Sequence, residues 1–229
     1  MSTSSDNQQS ICKSCGQTFP DDSRMIRRAY CDGCLPRVMA STKEDEHHSA
    51  RAARREAFER MVPPIYRQTD KARLRPILRE IIERWKPDKM GVGFVGEAGS
   101  GKTRAATLML RAASEEGRSV LWISGTRLAQ AAAECFSSSS PEREAAKKTV
   151  ALANRVNVLL LDDLGKEKMT DRAEMQLYDL LEHRTSHELP TLWTSNSSAA
   201  ELHAMFSPDR ADAMIRRLGK EFCEHVVMQ

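Results

Sequence analysis

The chain contains 229 residues, 40% of them hydrophobic, and carries a formal net charge of +3 at neutral pH. This length accommodates one substantial hydrophobic core and a small appended module. The apolar runs fall well short of the ~20 residues that a membrane-spanning helix needs, and the small net charge does not by itself indicate binding to nucleic acid. Residues 1–10 are polar and lack the basic start and apolar segment of a secretory signal, so we expect a cytoplasmic protein without membrane contact.

Four of the six cysteines lie in one early window, as two Cys-x2-Cys pairs separated by fifteen residues: Cys12, Cys15, Cys31 and Cys34. A two-residue gap lets both thiolates of a pair converge on one ion, so this spacing predicts a zinc site. A module of residues 1–36 is too small to bury a stabilising core, and zinc binding in finger peptides contributes roughly 10–16 kcal/mol. Four thiolates complete a tetrahedral shell, which makes the predicted zinc structural. Two disulfides are the alternative, and they would require an oxidising compartment.

The surface of this module is predicted to contact a protein. Its charges are mixed in sign, unlike the basic stripe of a phosphate-binding domain. Its apolar side chains exceed what one small zinc module buries, and exposed apolar patches are typical of partner sites. These side chains are Phe19, Met25, Ile26, Tyr30 and Leu35. A DNA-binding finger is the alternative.

Residues 37–62 form a charged connector, rich in Ala, Arg, Glu and Lys, which we predict to be mostly helical. Pro63 and Pro64 end it, because proline lacks a backbone N–H and clashes with the preceding turn. Residues 63–229 then form the main domain, which starts with a helix whose apolar residues recur at helical spacing. This stripe consists of Leu74, Ile77, Leu78, Ile81, Ile82 and Trp85.

Residues 94–103, FVGEAGSGKT, match the phosphate-loop (Walker A) pattern GxxxxGK[ST]. The glycines can adopt backbone conformations that a Cβ forbids, so consecutive N–H groups can turn toward phosphate oxygens. Lys102 is predicted to sit over the β and γ phosphates, and Thr103 to offer its hydroxyl to Mg²⁺ at the start of the next helix. The predicted nucleotide-binding residues are Gly96, Glu97, Ala98, Gly99, Ser100, Gly101, Lys102, Thr103 and Arg104.

Strands and helices alternate around this loop. The predicted strands are residues 92–95, 119–124, 156–161, 189–195 and 224–228. Thr126 is predicted to cap the helix after the second of them. The run VNVLLL is typical of a central parallel strand buried on both faces. The pattern therefore predicts an α/β fold with its ligand at the carboxyl ends of parallel strands.

Asp162 and Asp163 end the buried strand, sixty residues after Lys102. A carboxylate that follows a buried strand at this distance from the loop lysine is the Walker B arrangement. Asp162 is predicted to hold Mg²⁺ through water, and Asp163 to polarise the attacking water.

Five segments from Val62 onward are typical of one group of proteins: VPPIYR, GEAGSGKT, LLLDDLGKE, LWTSNSS and AMIRRLGKEF. They resemble the AAA+ ATPases of the DnaC/DnaI helicase-loader family and the related IstB transposition helpers. The resemblance implies a AAA+ P-loop core with a five-stranded parallel sheet, ATP hydrolysis and self-assembly into a ring or spiral. It also implies escort of a hexameric replicative helicase, gripped by the N-terminal region, onto single-stranded DNA.

The same resemblance implies two further site residues. Asn196 takes the place of the polar sensor at the end of the fourth strand, and Arg217 that of the arginine that reaches a neighbouring subunit's nucleotide. The sequence departs from the common AAA+ pattern at Asp163, where most members have Glu. Because it ends at Gln229, we expect no helical lid, as in the loader branch. We therefore expect slow ATP hydrolysis that assembly, DNA or helicase stimulates.

Basic residues between the two nucleotide motifs are candidate contacts to single-stranded DNA, because initiator-type relatives face DNA with this region. They are Arg127, Arg143, Lys147, Lys148 and Arg155. A charged solvent-facing surface explains them about as well.

Three functions are compatible with these features. The first is a helicase loader, of host or phage type, that acts in the initiation of DNA replication. The second is an IstB-type transposition helper, and the third is a non-hydrolysing adaptor that senses ATP. The four-cysteine module favours the loader, because transposition helpers usually begin with helices.

Overall fold

The computed structural model describes residues 9–21, 28–88, 90–166, 170–219 and 222–228. The chain divides into two compact units, Met1–Ala53 and Arg54–Gln229. Within the described residues no helix is both long enough and apolar enough to span a bilayer.

Strands occur in both units. Those of the described residues are β1 (Gln9–Ile11), β2 (Thr18–Pro20), β3 (Gly91–Gly96), β4 (Val120–Ser124), β5 (Val158–Asp162), β6 (Thr191–Ser195) and β7 (Cys223–Met228).

Helices surround the strands of the second unit, and the first of them begins in the first unit. Those of the described residues are α1 (Leu35–Met61), α2 (Pro64–Arg67), α3 (Pro76–Arg84), α4 (Lys102–Glu115), α5 (Gly125–Glu134), α6 (Ser140–Arg155), α7 (Asp171–Ser186), α8 (Ala199–Ala204) and α9 (Ala211–Leu218). A 3₁₀ turn, Lys71–Arg73, lies between α2 and α3.

The first unit contains a short antiparallel hairpin of β1 and β2. After β1 the chain turns so that the Gly16 N–H donates to the carbonyl oxygen of Cys12 (2.9 Å). A second turn, in which the Cys34 N–H donates to the carbonyl oxygen of Cys31 (3.0 Å), leads into α1. Both Cys-x2-Cys pairs therefore lie in tight turns, as their spacing predicts.

The second unit is built on one five-stranded sheet, in which β4, β5, β6, β3 and β7 lie side by side in that order. Every pairing in it is parallel. All carboxyl ends of the strands therefore lie at one edge of the sheet, and the phosphate loop and the Walker B aspartates follow β3 and β5 at that edge.

Alternate residues of β5 belong to two hydrophobic clusters, one on each face of the sheet. Val158 and Leu160 pack with residues of α3 and α4, whereas Leu159 and Leu161 pack with residues of α7 and α9. This arrangement explains the unbroken apolar run, because both faces of the strand are covered. In strand β3, which pairs with β6, a Cβ at Gly93 would lie 2.3 Å from the Trp193 ring of β6, so only glycine fits there.

The predicted element limits need small corrections. Helix α5 begins at Gly125 and is capped by Ser124, whose hydroxyl accepts from the Arg127 N–H (3.2 Å), so the prediction that Thr126 caps it was wrong. The fourth sheet strand begins at Thr191 and the third at Val158, two residues later than predicted in each case.

Candidate nucleotide site and cysteine cluster

The phosphate loop leaves the carboxyl end of β3 and turns into α4. Gly99 and Gly101 have φ angles of 82° and 96°, in the left-handed region that favours glycine. A Cβ at Gly101 would in addition lie 3.3 Å from the side chains of Leu74 and Leu78. The backbone path of the loop therefore requires glycine at both positions.

The Lys102 side chain folds back over this loop. Its Nζ donates to the carbonyl oxygens of Gly96 (2.8 Å) and Glu97 (2.7 Å) and lies 3.3 Å from the Ser100 hydroxyl. The side chain is buried, and burial lowers the pKa of its ammonium group although two nearby carboxylates oppose the shift. Charged phosphate oxygens are stronger acceptors than loop carbonyls. The ammonium is thus held where a phosphate can replace its present partners.

Asp162 is buried at the end of β5, with 5% of its surface exposed. Its Oδ1 accepts hydrogen bonds from the hydroxyls of Thr103 (2.8 Å) and Thr194 (2.8 Å). Burial raises the pKa of this carboxyl group, although the two hydroxyl hydrogen bonds oppose the shift. Strands β5 and β6 and helix α4 therefore place one carboxylate and two hydroxyls together at the start of the helix.

Asp163 turns away from β5 in a left-handed conformation, with φ = 58°. Its N–H donates to the Thr194 hydroxyl (2.8 Å), which fixes this turn. Its carboxylate accepts from the Asn196 amide at Oδ1 (3.3 Å) and pairs with the Lys166 ammonium at Oδ2 (2.7 Å). The predicted sensor Asn196 and the predicted catalytic carboxylate are therefore in direct contact.

These groups surround one cavity of about 360 Å³. It is lined by Tyr66, Ala98, Gly99, Gly101, Lys102, Thr103, Arg104, Asp162, Asp163, Lys166, Thr194 and Asn196. Most of the predicted ATP-binding residues thus line it directly, and the other three contact the Lys102 ammonium. Its charged lining suits a phosphorylated ligand that carries a metal ion.

Arg104 lies on the first turn of α4, at the side of this cavity. Its guanidinium donates to the carbonyl oxygen of Ile65 (3.1 Å) and to the Thr69 hydroxyl (3.4 Å), and it lies 5.7 Å from the centre of the Tyr66 ring. These contacts tie the segment after α1 to the start of α4. They place an aromatic ring beside the phosphate loop.

Arg217 lies far from its own chain's phosphate loop. It lines a different cavity together with the first residues of β3 and β6, at the amino-terminal edge of the sheet. The side chain is buried, pairs with Glu182, donates to the Ala213 carbonyl oxygen (3.0 Å) and lies 4.8 Å from the Tyr178 ring centre. A role toward nucleotide is therefore possible only on a neighbouring subunit, and it requires the arginine to leave these partners.

The five candidate DNA contacts lie on α5 and α6. Arg127 pairs with Glu134 (3.3 Å) and Lys147 with Glu144 (3.5 Å), and the Arg143 guanidinium donates to a carbonyl oxygen of the loop between the helices (2.9 Å). Lys148 and Arg155 are exposed. Ion pairs with neighbouring glutamates reduce the positive charge that this face presents.

The four cysteines of the first unit form one cluster. Their sulfur atoms all lie within 4.8 Å of one another, and Cys15 Sγ lies 3.9 Å from Cys31 Sγ. Zinc–sulfur bonds of ~2.3 Å in a tetrahedron place the sulfurs roughly 3.8 Å apart. The donor set and its spacing therefore fit one tetrahedrally bound zinc ion, and 3.9 Å is far too long for a disulfide.

The apolar residues of this unit are only partly described. Phe19 is buried, whereas Tyr30 and Leu35 are half-buried. Met25 and Ile26 lie outside the described residues. The predicted partner surface of the module therefore stays a prediction.

A family model described as IstB-like ATP binding protein matches residues 44–229, most of the chain. The chain belongs to this family. No protein with a curated function matches its sequence at a significant level.

Solved structures resemble this IstB-like protein in fold. DnaI superimposes with a TM-score of 0.60 at 17% identity, covering 73% of this chain and 95% of DnaI. DnaA from Aquifex aeolicus bound to AMPPCP, and a replication initiator DnaA bound to AMPPCP and single-stranded DNA, give TM-scores of 0.52 and 0.53 at 18% identity. Each covers 67% of this chain, which spans only 44% of the DnaA chains.

Together these findings confirm the predicted resemblance and the AAA+ P-loop core with its five-stranded parallel sheet. The family description also supports ATP as the ligand of the loop.

Sequence reasoning missed three residues of the site. Thr194 contacts both aspartates, and its signal was its position near the end of the fourth strand, two residues before Asn196. Lys166 lies within the DDLGKE segment that carried the resemblance. Tyr66 lies in the VPPIYR segment, but only the tertiary fold shows that it lines the cavity.

Proposed function

We propose that this IstB-like protein is a slow AAA+ ATPase that loads a replicative DNA helicase onto single-stranded DNA when replication begins. The observation that carries the ATPase part is the contact between the two nucleotide motifs. The Asp162 carboxylate lies 2.8 Å from the Thr103 hydroxyl, and Asp163 stands beside it at the same cavity. A hydroxyl and a carboxylate at this distance are the oxygen donors that Mg²⁺ prefers beside phosphates.

In the proposed reaction the oxygen of a water molecule forms a bond to the γ-phosphorus of ATP. The bond from that phosphorus to the β–γ bridging oxygen breaks, and its electron pair leaves with ADP. Asp163 orients the water and accepts its proton, while Asn196 holds the Asp163 carboxylate. Lys102 exchanges its loop carbonyls for β- and γ-phosphate oxygens. Thr103 and Asp162 would hold Mg²⁺, which neutralises charge on the phosphates.

The proposal includes assembly of several subunits into a ring or spiral. Arg217 of one subunit would stabilise the transferring phosphoryl group on the next. Arginine fingers contribute on the order of 10³–10⁵ in rate in other phosphoryl-transfer systems. Slow turnover by isolated subunits follows from this arrangement and from the short Asp163 side chain.

The N-terminal module is proposed to bind zinc through Cys12, Cys15, Cys31 and Cys34 and to grip the helicase. The sulfur spacing supports the zinc site. A bound zinc ion would fold a unit whose described strands have three residues each. Its four thiolates leave no ligand position for water, so its role is structural.

Contact with single-stranded DNA is proposed for the core. One relative of the same fold was solved with single-stranded DNA, and the exposed Lys148 and Arg155 are the candidate residues least engaged by their own chain. The family description favours a second candidate function, a transposition helper. In that case a transposase rather than a helicase would be the partner.

The first experiment tests the nucleotide site. Lys102→Ala removes the side chain that contacts both Gly96 and Glu97 and that is placed to bind β and γ phosphates. Each charge-assisted hydrogen bond contributes about 1.5–3 kcal/mol, so ATP affinity should fall at least ~100-fold. Lys71→Ala, which removes a half-exposed lysine outside the cavity, is the matched control. Equal ATP affinity of Lys102→Ala and wild type in equilibrium titrations would show that the site is assigned incorrectly.

The second experiment tests the loader function with the helicase of the same replication system. Purified wild-type protein should retain that helicase and increase its recovery on single-stranded DNA when ATP is present. Cys31→Ser, which removes one ligand of the proposed zinc site, should lose helicase binding but keep ATP affinity. If the Cys31→Ser variant still binds helicase but loses DNA affinity, the module is a DNA-binding finger instead. Binding of a transposase and not of the helicase would favour the transposition helper.

A further inference from the structure

Both oxygens of the Asp163 carboxylate are already engaged. Oδ1 accepts from the Asn196 amide (3.3 Å), and Oδ2 pairs with the Lys166 ammonium (2.7 Å). The contact with Lys166 is shorter and pairs opposite charges, so it is the stronger of the two. A carboxylate in this state has a cation where the proton of an attacking water would have to arrive.

The local backbone builds this pair. Asp163 and Gly165 both have left-handed φ angles, 58° and 107°, so the chain after β5 folds into a tight turn. The Ser195 hydroxyl donates to the Leu164 carbonyl oxygen in the same turn (2.6 Å). Lys166 is thereby brought back to the carboxylate three residues before it, and both side chains line the phosphate-loop cavity.

The Lys166 side chain is accessible to a competing anion. Its side chain is 57% exposed, against 39% for Asp163. A half-exposed ion pair is weak, at about 0.2–1 kcal/mol. The pair can therefore hold the carboxylate in the resting chain and be displaced when a neighbouring subunit or a partner offers Lys166 another anion.

We propose that Lys166 is a positioning residue that restrains Asp163 and keeps the basal ATPase rate low until assembly or a partner draws the lysine away. This inference rests on the proposed ATPase function. The slow basal turnover was expected from the short Asp163 side chain. This inference attributes part of it to Lys166 instead. Lys166 acts here through Asp163 and does not itself contact the reacting atoms.

The test is the basal ATPase rate of Lys166→Met, measured on the full chain at low protein concentration. Release of a pair of this strength should raise kcat roughly two- to fivefold, which corresponds to ~0.4–1 kcal/mol. ATP affinity should be unchanged, because the phosphates are held by the loop. Lys166→Arg should restore the low rate, since arginine can form the same ion pair.

Two further variants make the interpretation specific. Lys71→Met breaks an ion pair of the same length outside the cavity, Lys71–Glu83 at 2.7 Å, and it should leave kcat unchanged. In the double variant Lys166→Met/Asp163→Asn, the stimulation should vanish, because the effect passes through Asp163.

The possible failures are distinguishable. If wild type does not bind ATP, the proposed function fails and the restraint fails with it. If ATP binds normally but Lys166→Met turns it over no faster than wild type, the restraint alone is wrong. Should Lys166→Met lose ATP affinity, the lysine is a second phosphate contact and the inference is overturned as well.

Discussion

Two buried charged side chains, Arg184 and Asp162, lie at opposite edges of the same sheet. They differ in how completely the fold satisfies their hydrogen-bonding groups. Arg184, with no exposed surface, uses all five of its N–H donors at the amino-terminal edge. The acceptors are the Thr191 hydroxyl and the carbonyl oxygens of Ala153, Val156, Asn157 and Pro190. Asp162, at the carboxyl-terminal edge, receives two hydroxyl donors on one oxygen, and its other oxygen has no donor among the residues that the structure describes.

The difference separates a structural charge from a functional one. Arg184 has its hydrogen-bonding capacity satisfied by two segments of the chain, residues 153–157 and 190–191, so it holds them together and offers nothing to a ligand. Asp162 keeps acceptor capacity toward a cavity, and its burial raises the pKa of its carboxyl group. A buried charge that the fold does not satisfy costs stability, and such a cost is typical of a site that a ligand completes.

The largest expected effect comes from the satisfied charge. Arg184→Leu removes a donor from five neutral acceptors, and each buried acceptor left unsatisfied costs about 1–3 kcal/mol, so the variant should lose at least ~3 kcal/mol. We expect that loss in the free energy of unfolding, measured by urea denaturation of the full chain. Arg155→Leu, an exposed arginine of α6, is the control and should change stability by less than ~0.5 kcal/mol. Equal losses in the two variants would contradict a structural role for Arg184.

Asp162→Asn should have the opposite effect on stability. The raised pKa means that the folded chain binds this proton more tightly than the unfolded chain does, so the ionised carboxylate costs stability as pH rises above its ordinary value of about 4. The variant should therefore be more stable than wild type at neutral pH, and the difference should shrink as pH falls toward 4. Urea denaturation between pH 4 and pH 8, without nucleotide or magnesium, measures it.

The same substitution should damage catalysis. Without the charged ligand to Mg²⁺, we expect ATP turnover to fall by roughly 10²–10³-fold, since a metal contact of this kind contributes several kcal/mol to the transition state. If Asp162→Asn loses stability at neutral pH, or keeps full ATP turnover, Asp162 does not differ from Arg184 in the way described above.

Much of this architecture could be predicted because its signals are local. The apolar run of β5 and the phosphate-loop pattern each identify an element without reference to the rest of the chain. The limits of elements were harder to predict: Ser124 and Thr126 are both good helix caps, and the structure shows that Ser124 is the one that caps α5. The hairpin of β1 and β2 has strands of three residues, too short for any periodicity to indicate them.

The residues of the candidate site could be predicted only in part, because only some of them lie in contiguous motifs. Lys102, Thr103 and the two aspartates lie in contiguous motifs, whereas Thr194 reaches Asp162 across thirty-two residues of sequence. That contact depends on β5 and β6 being neighbours in the sheet, which spacing alone does not decide. The Lys166–Asp163 pair depends on positive φ angles at two positions, Asp163 and Gly165, the first of which is not glycine.

Arg217 lies between the two cases, and removing the charge of its partner Glu182 gives the smallest expected effect. It is buried like Arg184, but one of its partners, Glu182, is a side chain with 49% of its surface exposed. If Arg217 of one subunit reaches the nucleotide of the next, it must first leave Glu182.

Glu182→Gln should then raise the ATPase rate per subunit at high protein concentration by roughly two- to fivefold, which corresponds to the strength of a partly exposed ion pair. Arg217→Ala should abolish the dependence of rate on concentration, whereas Arg216→Ala, its exposed neighbour, should keep it. If Glu182→Gln changes nothing and Arg217→Ala retains the concentration dependence, Arg217 is a structural residue like Arg184, and the arginine that completes the neighbouring site must lie elsewhere.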